Sequence, residues 1–277
     1  MRWLVTGGRG MFGTDLRELL QSRGEEVIAV GSSECDVRSL DAVRATMQGF
    51  DVVVNAAAWT AVDDAETQEA EAFSINAVGA RNVALAAAET DTGMVHISTD
   101  YVFDGAATTP YAPDHPQDPR SAYGRTKAAG EWAIRATNPD ALIVRTAWLY
   151  GEHGPNFVTT MLRLAGEREV LQVVDDQVGQ PTWTKDLAAY VWELVTAKRP
   201  GGYYHGTSSG ETSWCGFARE IFRLGGWDPE RVTACGTNDF PRPAPRPALS
   251  VLAHDTPPEL RPWGDALAEY LAMIASR

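Results

Sequence analysis

Little in this 277-residue chain is suited to cross-linking or to holding a metal. It has three cysteines, Cys35, Cys215 and Cys235, far apart and with no Cys-x-x-Cys pair, and five histidines with no His-x-x-x-His spacing. That pattern supports neither a disulfide framework nor a zinc site, and fits a reducing cytoplasm. No metal is expected. Positive charge is also scarce: 24 Lys and Arg against 37 Asp and Glu leave a net charge of −13. A nucleic-acid or membrane-surface binder would need the opposite balance. Any anionic ligand must be met by local fields, at helix N-termini or single arginines. Apolar runs of the length that spans a bilayer are missing. Met1 to Gly7 pass directly into a strand and a glycine turn, so no secretory leader is expected. There are no internal repeats and no low-complexity tails.

What is present is a hydrophobic fraction of 44%, enough for a sizeable core. Residues 2–6, 27–30, 51–55, 94–98 and 141–145 read as short buried strands. A helical stretch carrying Leu16, Leu19 and Leu20 follows the first, and 76–89 forms another. Strands alternating with helices of this length predict an α/β fold, a Rossmann-type doubly wound parallel sheet. Beyond Tyr150 the pattern loosens into helices expected at 155–166, 184–197, 213–224 and 263–275, with Gly- and Pro-rich connections. The segment 240–247 is expected to be extended, since each proline drives its predecessor out of the helical region. The division that follows is a dinucleotide-binding domain at 1–150 and a smaller C-terminal substrate-binding lobe at 151–277. Some later strands and helices are left free to return to the first domain.

Gly7, Gly10 and Gly13 lie between the first strand and the first helix, with Arg9, Met11 and Phe12 among them. A dinucleotide pyrophosphate needs backbone N–H groups with no Cβ in the way and benefits from a helix N-terminus, so this loop is read as the cofactor cradle. A carboxylate at the end of the second strand would bond the adenosine ribose and repel a 2′-phosphate. Here that end reads Val30-Gly31-Ser32-Ser33, with no acid until Glu34. Arg9 and Ser32 suit the phosphate and favour NADPH, with NADH use left open, although Arg9 can equally be a solvated side chain. Asp36 and Val37 fall where a short loop caps an adenine, and Ala56, Ala57 and Ala58 offer small side chains beside the cofactor.

Tyr123 and Lys127 are four residues apart, on one helical face. A free phenol has a pKa of about 10. A neighbouring ammonium is expected to lower it, so that the tyrosine donates a proton to a carbonyl oxygen as hydride arrives, worth roughly 10²–10⁴ in rate. The spacing alone is common. Its position after the fourth strand, which ends Ser98-Thr99-Asp100, gives it weight, because a hydroxyl at that carboxyl end points into the ligand crevice. Thr99 or Ser98 is then placed to bond the same carbonyl.

Several segments together resemble the extended short-chain dehydrogenases, and within them the dTDP-4-dehydrorhamnose reductases. They are the glycine loop, residues 55–66 (NAAAWTAVDDAE), residues 98–105 (STDYVFDG), Tyr123 to Lys127 with Gly130-Glu131, residues 145–151 (RTAWLYG), Asn156-Phe157 with Met161-Leu162, residues 176–182 (DQVGQPT) and Arg246-Pro247. The resemblance covers nearly the whole chain. It implies NADPH-dependent reduction of the C4 ketone of dTDP-4-dehydro-L-rhamnose to dTDP-L-rhamnose, the alternative being a related 4-ketoreductase for another NDP-4-keto-6-deoxyhexose, since such enzymes share nearly all these motifs. Tyr123 would donate the proton, Thr99 orient the carbonyl, and Lys127 hold the nicotinamide ribose. Thr60, Val62, Asp100, Tyr101 and Trp148 would contact the sugar, and Arg246 the diphosphate. Trp148 at a strand end can equally be core, and Arg246 can equally anchor the extended segment. The implied partner is a small nucleotide sugar, with the chain a monomer or homodimer.

Two other readings share the scaffold. An epimerase or dehydratase needs tightly held NAD and, for dehydration, further acid and base carboxylates, whereas Thr99 is followed by Asp100 and then Tyr101. A catalytically silent NADP-binding subunit would tolerate loss of Tyr123 or Lys127, and both are present.

Overall fold

The computed structural model describes residues 1–254 and 258–276. Its centre is a six-stranded parallel sheet with the order β10-β5-β4-β3-β1-β2. These strands are β1 (Arg2–Thr6), β2 (Glu26–Val30), β3 (Val52–Asn55), β4 (Gly93–Thr99), β5 (Leu142–Thr146) and β10 (Gly202–His205). Both faces are covered, which is why the strands read as continuous apolar runs. Alternate residues serve opposite layers. Trp3 and Val5 of β1 pack with Phe12, Leu16 and Leu20 of α1 (Met11–Ser22) and with Leu187, Val191 and Leu194 of α7 (Thr184–Thr196). Leu4, Val53, Met94 and Ile143 face the other way. They meet α2 (Leu40–Met47), α4 (Ala80–Glu89) and α5 (Ala122–Thr137) through Val43, Met47, Val83, Ala87 and Ile134. The helix expected from Asn76 begins earlier, as α3 (Glu69–Phe73), and continues through a π-helical turn at Ser74–Gly79 into α4.

The second lobe has its own core. Val158 and Met161 of α6 (Phe157–Glu167), Phe217, Ile221 and Phe222 of α8 (Trp214–Leu224), and Leu267 and Tyr270 of α9 (Trp263–Ala275) pack together. Short strand pairs frame it: β6 (Leu149–Tyr150) with β9 (Thr182–Trp183), β7 (Leu171–Val174) with β13 (Val232–Cys235), β8 (Val178–Gly179) with β12 (Thr212–Ser213), and β11 (Ser208–Ser209) with β14 (Leu260–Pro262). Later elements cross the division at residue 150. The chain returns at α7, which packs on α1, and at β10, which pairs with β5 as the sixth strand. Residues 240–247 carry no helix or strand. Among the described residues, no helix is long and apolar enough to cross a membrane.

Strand order reverses between β1 and β3, and the carboxyl ends of β1, β3, β4 and β5 open on one crevice, the usual ligand position in such sheets. The candidate residues lie there.

Candidate active site

Gly7 leaves β1 with φ +70°, a left-handed turn. A Cβ there would come within 2.6 Å of the Ala56 and Ala57 backbone, so the turn can hold only glycine against the end of β3. Gly10 is the N-cap of α1, and the first amide closed onto it is that of Thr14. The amides of Met11, Phe12 and Gly13 are therefore first-turn donors with no partner inside the helix. This cradle fits a pyrophosphate. Phe12 contributes only its backbone to it, because its ring is buried in the core. Ala56, Ala57 and Ala58 line the turn after β3 and are half-buried.

The end of β2 differs from the sequence expectation. Glu34 folds back, accepts from the Gly31 amide at 2.7 Å and ion-pairs with Arg9. An acid thus occupies the end of β2 after all, and a phosphate reaching Arg9 must compete with it. Ser32 is exposed beside them. Asp36 is tied to Arg38 at 2.7 Å, which holds its carboxyl below the usual range. The Val37 side chain packs in the core.

Ser121 caps α5 by accepting from the Gly124 amide, and this sets Tyr123 in the first turn. The Tyr123 phenol is buried among Val62, Ala122 and Tyr101, whose ring stands edge-on at 5.6 Å. Its pKa is raised, first by burial and further by the Asp100 carboxylate, while the Thr99 hydroxyl pulls the other way. The expected lowering by Lys127 is therefore not found. Nζ is engaged elsewhere, donating to the Ile97 carbonyl at 2.7 Å with His96 Nε2 at 3.3 Å. Burial instead brings Lys127 down to about 8, with Glu131 pulling it back up. The free protein thus holds Tyr123 as a protonated donor.

Thr99 Oγ1 donates to Asp100 Oδ1 at 2.9 Å, so Thr99, Asp100, Tyr101 and Tyr123 form one cluster. By the period of two, Ser98 lies on the His96 side of β4. Asp100 is buried with Oδ2 unpartnered, and its pKa is raised to about 6 by burial, against pulls from Thr99 and Ser250. A carboxyl raised in this way leaves stability intact below pH 3.8 and erodes it as pH climbs to about 6. Asp100→Asn removes that cost. Urea denaturation at pH 7 is expected to show the variant more stable by up to about 3 kcal/mol, with the difference vanishing near pH 3.5. A variant less stable at pH 7 would mean that the bonds this carboxylate accepts from Thr99 and Ser250 outweigh the cost of its burial.

Arg246 is bound at 2.9 Å to Asp63, 183 residues earlier in the chain, and its charge acts on Tyr101 of the same cluster. Val62 packs in the tyrosine cluster, whereas Thr60 is exposed. Trp148 takes φ +47°, a conformation that costs a bulky residue about 1–3 kcal/mol. Its surroundings impose it. The indole stacks on Trp214 with centroids 3.6 Å apart, and its edge passes Gly179, where a Cβ would come within 2.6 Å. Core contacts thus claim one face, and the ring remains half-buried.

His96, Asp63, Trp214 and the acid at Glu34 escaped sequence reasoning as site residues. A histidine inside an otherwise apolar strand was the one local signal. The fold also brings Asp15, Glu18 and His153 within 4.8 Å of one another as possible metal ligands, a grouping that spacing along the chain does not suggest.

The family model described as RmlD substrate binding domain matches residues 1–276. A probable dTDP-4,6-dihydroxy-2-methyloxan-3-one 4-ketoreductase of Streptomyces antibioticus is 48% identical, over 97% of this chain and 94% of that protein. A dTDP-4-dehydrorhamnose reductase of Streptomyces griseus is 46% identical, over 100% and 95%. The crystal structure of dTDP-4-dehydrorhamnose reductase from Bacillus anthracis in complex with NADP superposes with a TM-score of 0.94 at 34% identity, over 98% of this chain and 99% of that one.

Proposed function

This chain belongs to the RmlD substrate binding domain family, within the extended short-chain dehydrogenases, and from that premise we propose that it reduces the C4 ketone of dTDP-4-dehydro-L-rhamnose to dTDP-L-rhamnose. NADPH, when bound, supplies the hydride. The observation that carries the reading is the cluster of Thr99, Asp100, Tyr101 and Tyr123, set at the carboxyl end of β4, on the same edge of the parallel sheet as the glycine cradle after β1.

Each residue has a task in this reading. Thr99 and the Tyr123 phenol bond the ketone oxygen, and Tyr123 gives up its proton as that oxygen becomes an alkoxide. Burial and the nearby Asp100 charge keep the phenol protonated until then. As an ammonium, Lys127 has three N–H donors; Ile97 and His96 then engage two, leaving one for a ribose hydroxyl. Amides of the first α1 turn hold the pyrophosphate, aided by Arg9 once Glu34 yields. The Arg9–Glu34 pair gives NADH a place as a second reductant. Val62, Tyr101 and the open side of Trp148 form the sugar wall, and Arg246 meets the diphosphate on one flank while Asp63 holds it on the other. The free cysteines Cys35, Cys215 and Cys235 suit a reducing cytoplasm.

A second reading is favoured by the Streptomyces antibioticus relative: a 4-ketoreductase acting on another dTDP-4-keto-6-deoxyhexose. One assay separates the two. NADPH oxidation is followed against a panel of dTDP-linked 4-keto-6-deoxyhexoses. The proposal expects stoichiometric oxidation, fastest with the L-lyxo-configured ketone. Faster turnover of another member moves the assignment to the second reading. No turnover with any of them sinks both.

A further inference from the structure

Polar side chains form a row across the carboxyl end of the sheet. Thr6, Asn55 and His96 are register partners on β1, β3 and β4, project from one face, and are each 1% exposed. Thr6 Oγ1 lies 2.7 Å from Asn55 Oδ1, Asn55 Nδ2 3.0 Å from His96 Nδ1, and His96 Nε2 3.3 Å from Lys127 Nζ. A dry row of this kind is tolerable only if every donor meets an acceptor. Here the lysine decides the matching.

As an ammonium, Nζ carries donors only. Nε2 must then accept, Nδ1 must hold the ring's single proton, and Asn55 must turn its oxygen toward that nitrogen. As an amine, Nζ offers a lone pair. Nε2–H then donates to it, Nδ1 accepts from Asn55 Nδ2, and Asn55 Oδ1 accepts from Thr6, which is the amide orientation seen. The imidazole keeps one proton in both states. Only the proton's position changes, together with a half-turn of the Asn55 amide.

We propose that His96 is a positioning residue for Lys127, a neutral imidazole that pairs with the lysine in either charge state and so holds Nζ at one point beside the Ile97 carbonyl. No carbonyl or carboxylate could do this alone, because neither can donate to the amine. The electrostatics agree. Burial, with the Lys127 charge beside it, holds His96 well below its ordinary range, so the ring does not become an imidazolium. Burial also places Lys127 at about 8, where both charge states are within reach, with Glu131 the opposing carboxylate on α5. The inference rests on the proposed role of Lys127 in the reduction, but its first test needs no substrate.

In ¹⁵N-labelled protein, long-range proton–nitrogen correlations of the His96 ring are followed from about pH 6 to about pH 10. One protonated nitrogen is expected throughout, Nδ1 at the acid end and Nε2 at the alkaline end, crossing near 8. An imidazolium at the acid end overturns the proposal, and so does a proton that stays on one nitrogen across the whole range. Two variants then give the functional readout. His96→Gln puts an amide where Nε2 was, facing Lys127, while His96→Asn puts one where Nδ1 was. Gln is expected to keep kcat. Asn is expected to lose about a hundredfold in kcat with KM for the sugar unchanged, since Nζ is misplaced. Equal losses in the two variants, or a loss confined to KM or to thermal stability, overturn it. If wild-type protein reduces no 4-keto sugar, the reductase reading fails and the ring titration still decides His96.

Discussion

Tyr123→Phe is expected to lower kcat by about 10²–10⁴ while leaving NADPH binding intact, because it deletes one hydroxyl and keeps the ring. The phenyl group still fills the space among Val62, Ala122 and Tyr101, so the fold and the cofactor cradle should not move. Single-turnover kinetics with a 4-keto sugar measure the loss, and fluorescence titration with NADPH measures the binding. The size of the effect follows from the environment. A buried phenol whose pKa is held up stays protonated in the free protein, and the Thr99 hydroxyl beside it pulls toward easier proton release. Retention of most of the activity would remove Tyr123 from the chemistry. A matching loss of NADPH binding would make its role structural.

Arg145→Met is expected to destabilise the fold by about 3–5 kcal/mol, because it strands Glu131 as an uncompensated charge in the core. The two side chains are 1% and 0% exposed and bonded at 2.8 Å, and the guanidinium also donates to the Pro113 carbonyl and lies over the Phe103 and Tyr203 rings. Gln117 donates to the same carboxylate. Replacing both partners, Arg145→Met with Glu131→Leu, is expected to cost less than Arg145→Met alone, since no bare charge remains. Urea denaturation of the single and double variants checks both statements. A double variant less stable than the single one would show that the pair, rather than the avoidance of a lone charge, sustains this part of the core. Glu131 also raises the Lys127 pKa, so the double variant should shift the alkaline behaviour of the lysine downward.

The parts of the site that can be read along the chain are those whose physics is local. Gly7, Gly10 and Gly13 between a strand and a helix announce a phosphate-binding turn because only glycine serves a left-handed, closely packed corner. The four-residue step from Tyr123 to Lys127 is a helical repeat. The alternation of apolar runs with helical stretches gives the sheet, and a strand buried on both faces cannot be mistaken for an amphipathic one. The second lobe was less legible. Its strands are mostly two residues long, too short for any period to show, and the return of α7 and β10 to the first sheet leaves no mark on the sequence.

The Tyr–Lys pair shows where local reading stops. The sequence alone was enough to put the phenol and the amine on one face of one helix, behind a strand ending in Thr99 and beside a cofactor turn. It could not say what the amine touches. Lys127 turns to Ile97 and His96 rather than to Tyr123, and the phenol's pKa rises where spacing predicted a fall. In the same way, Glu34 folds back onto Arg9, Asp63 takes hold of Arg246, and Trp214 stacks on Trp148. Helical and strand periods follow from steric rules acting over a few residues, so they are written along the chain. Burial, and the partner a charge finds once buried, arise only when distant strands and helices close around a group, and those two properties set the proton chemistry of this site.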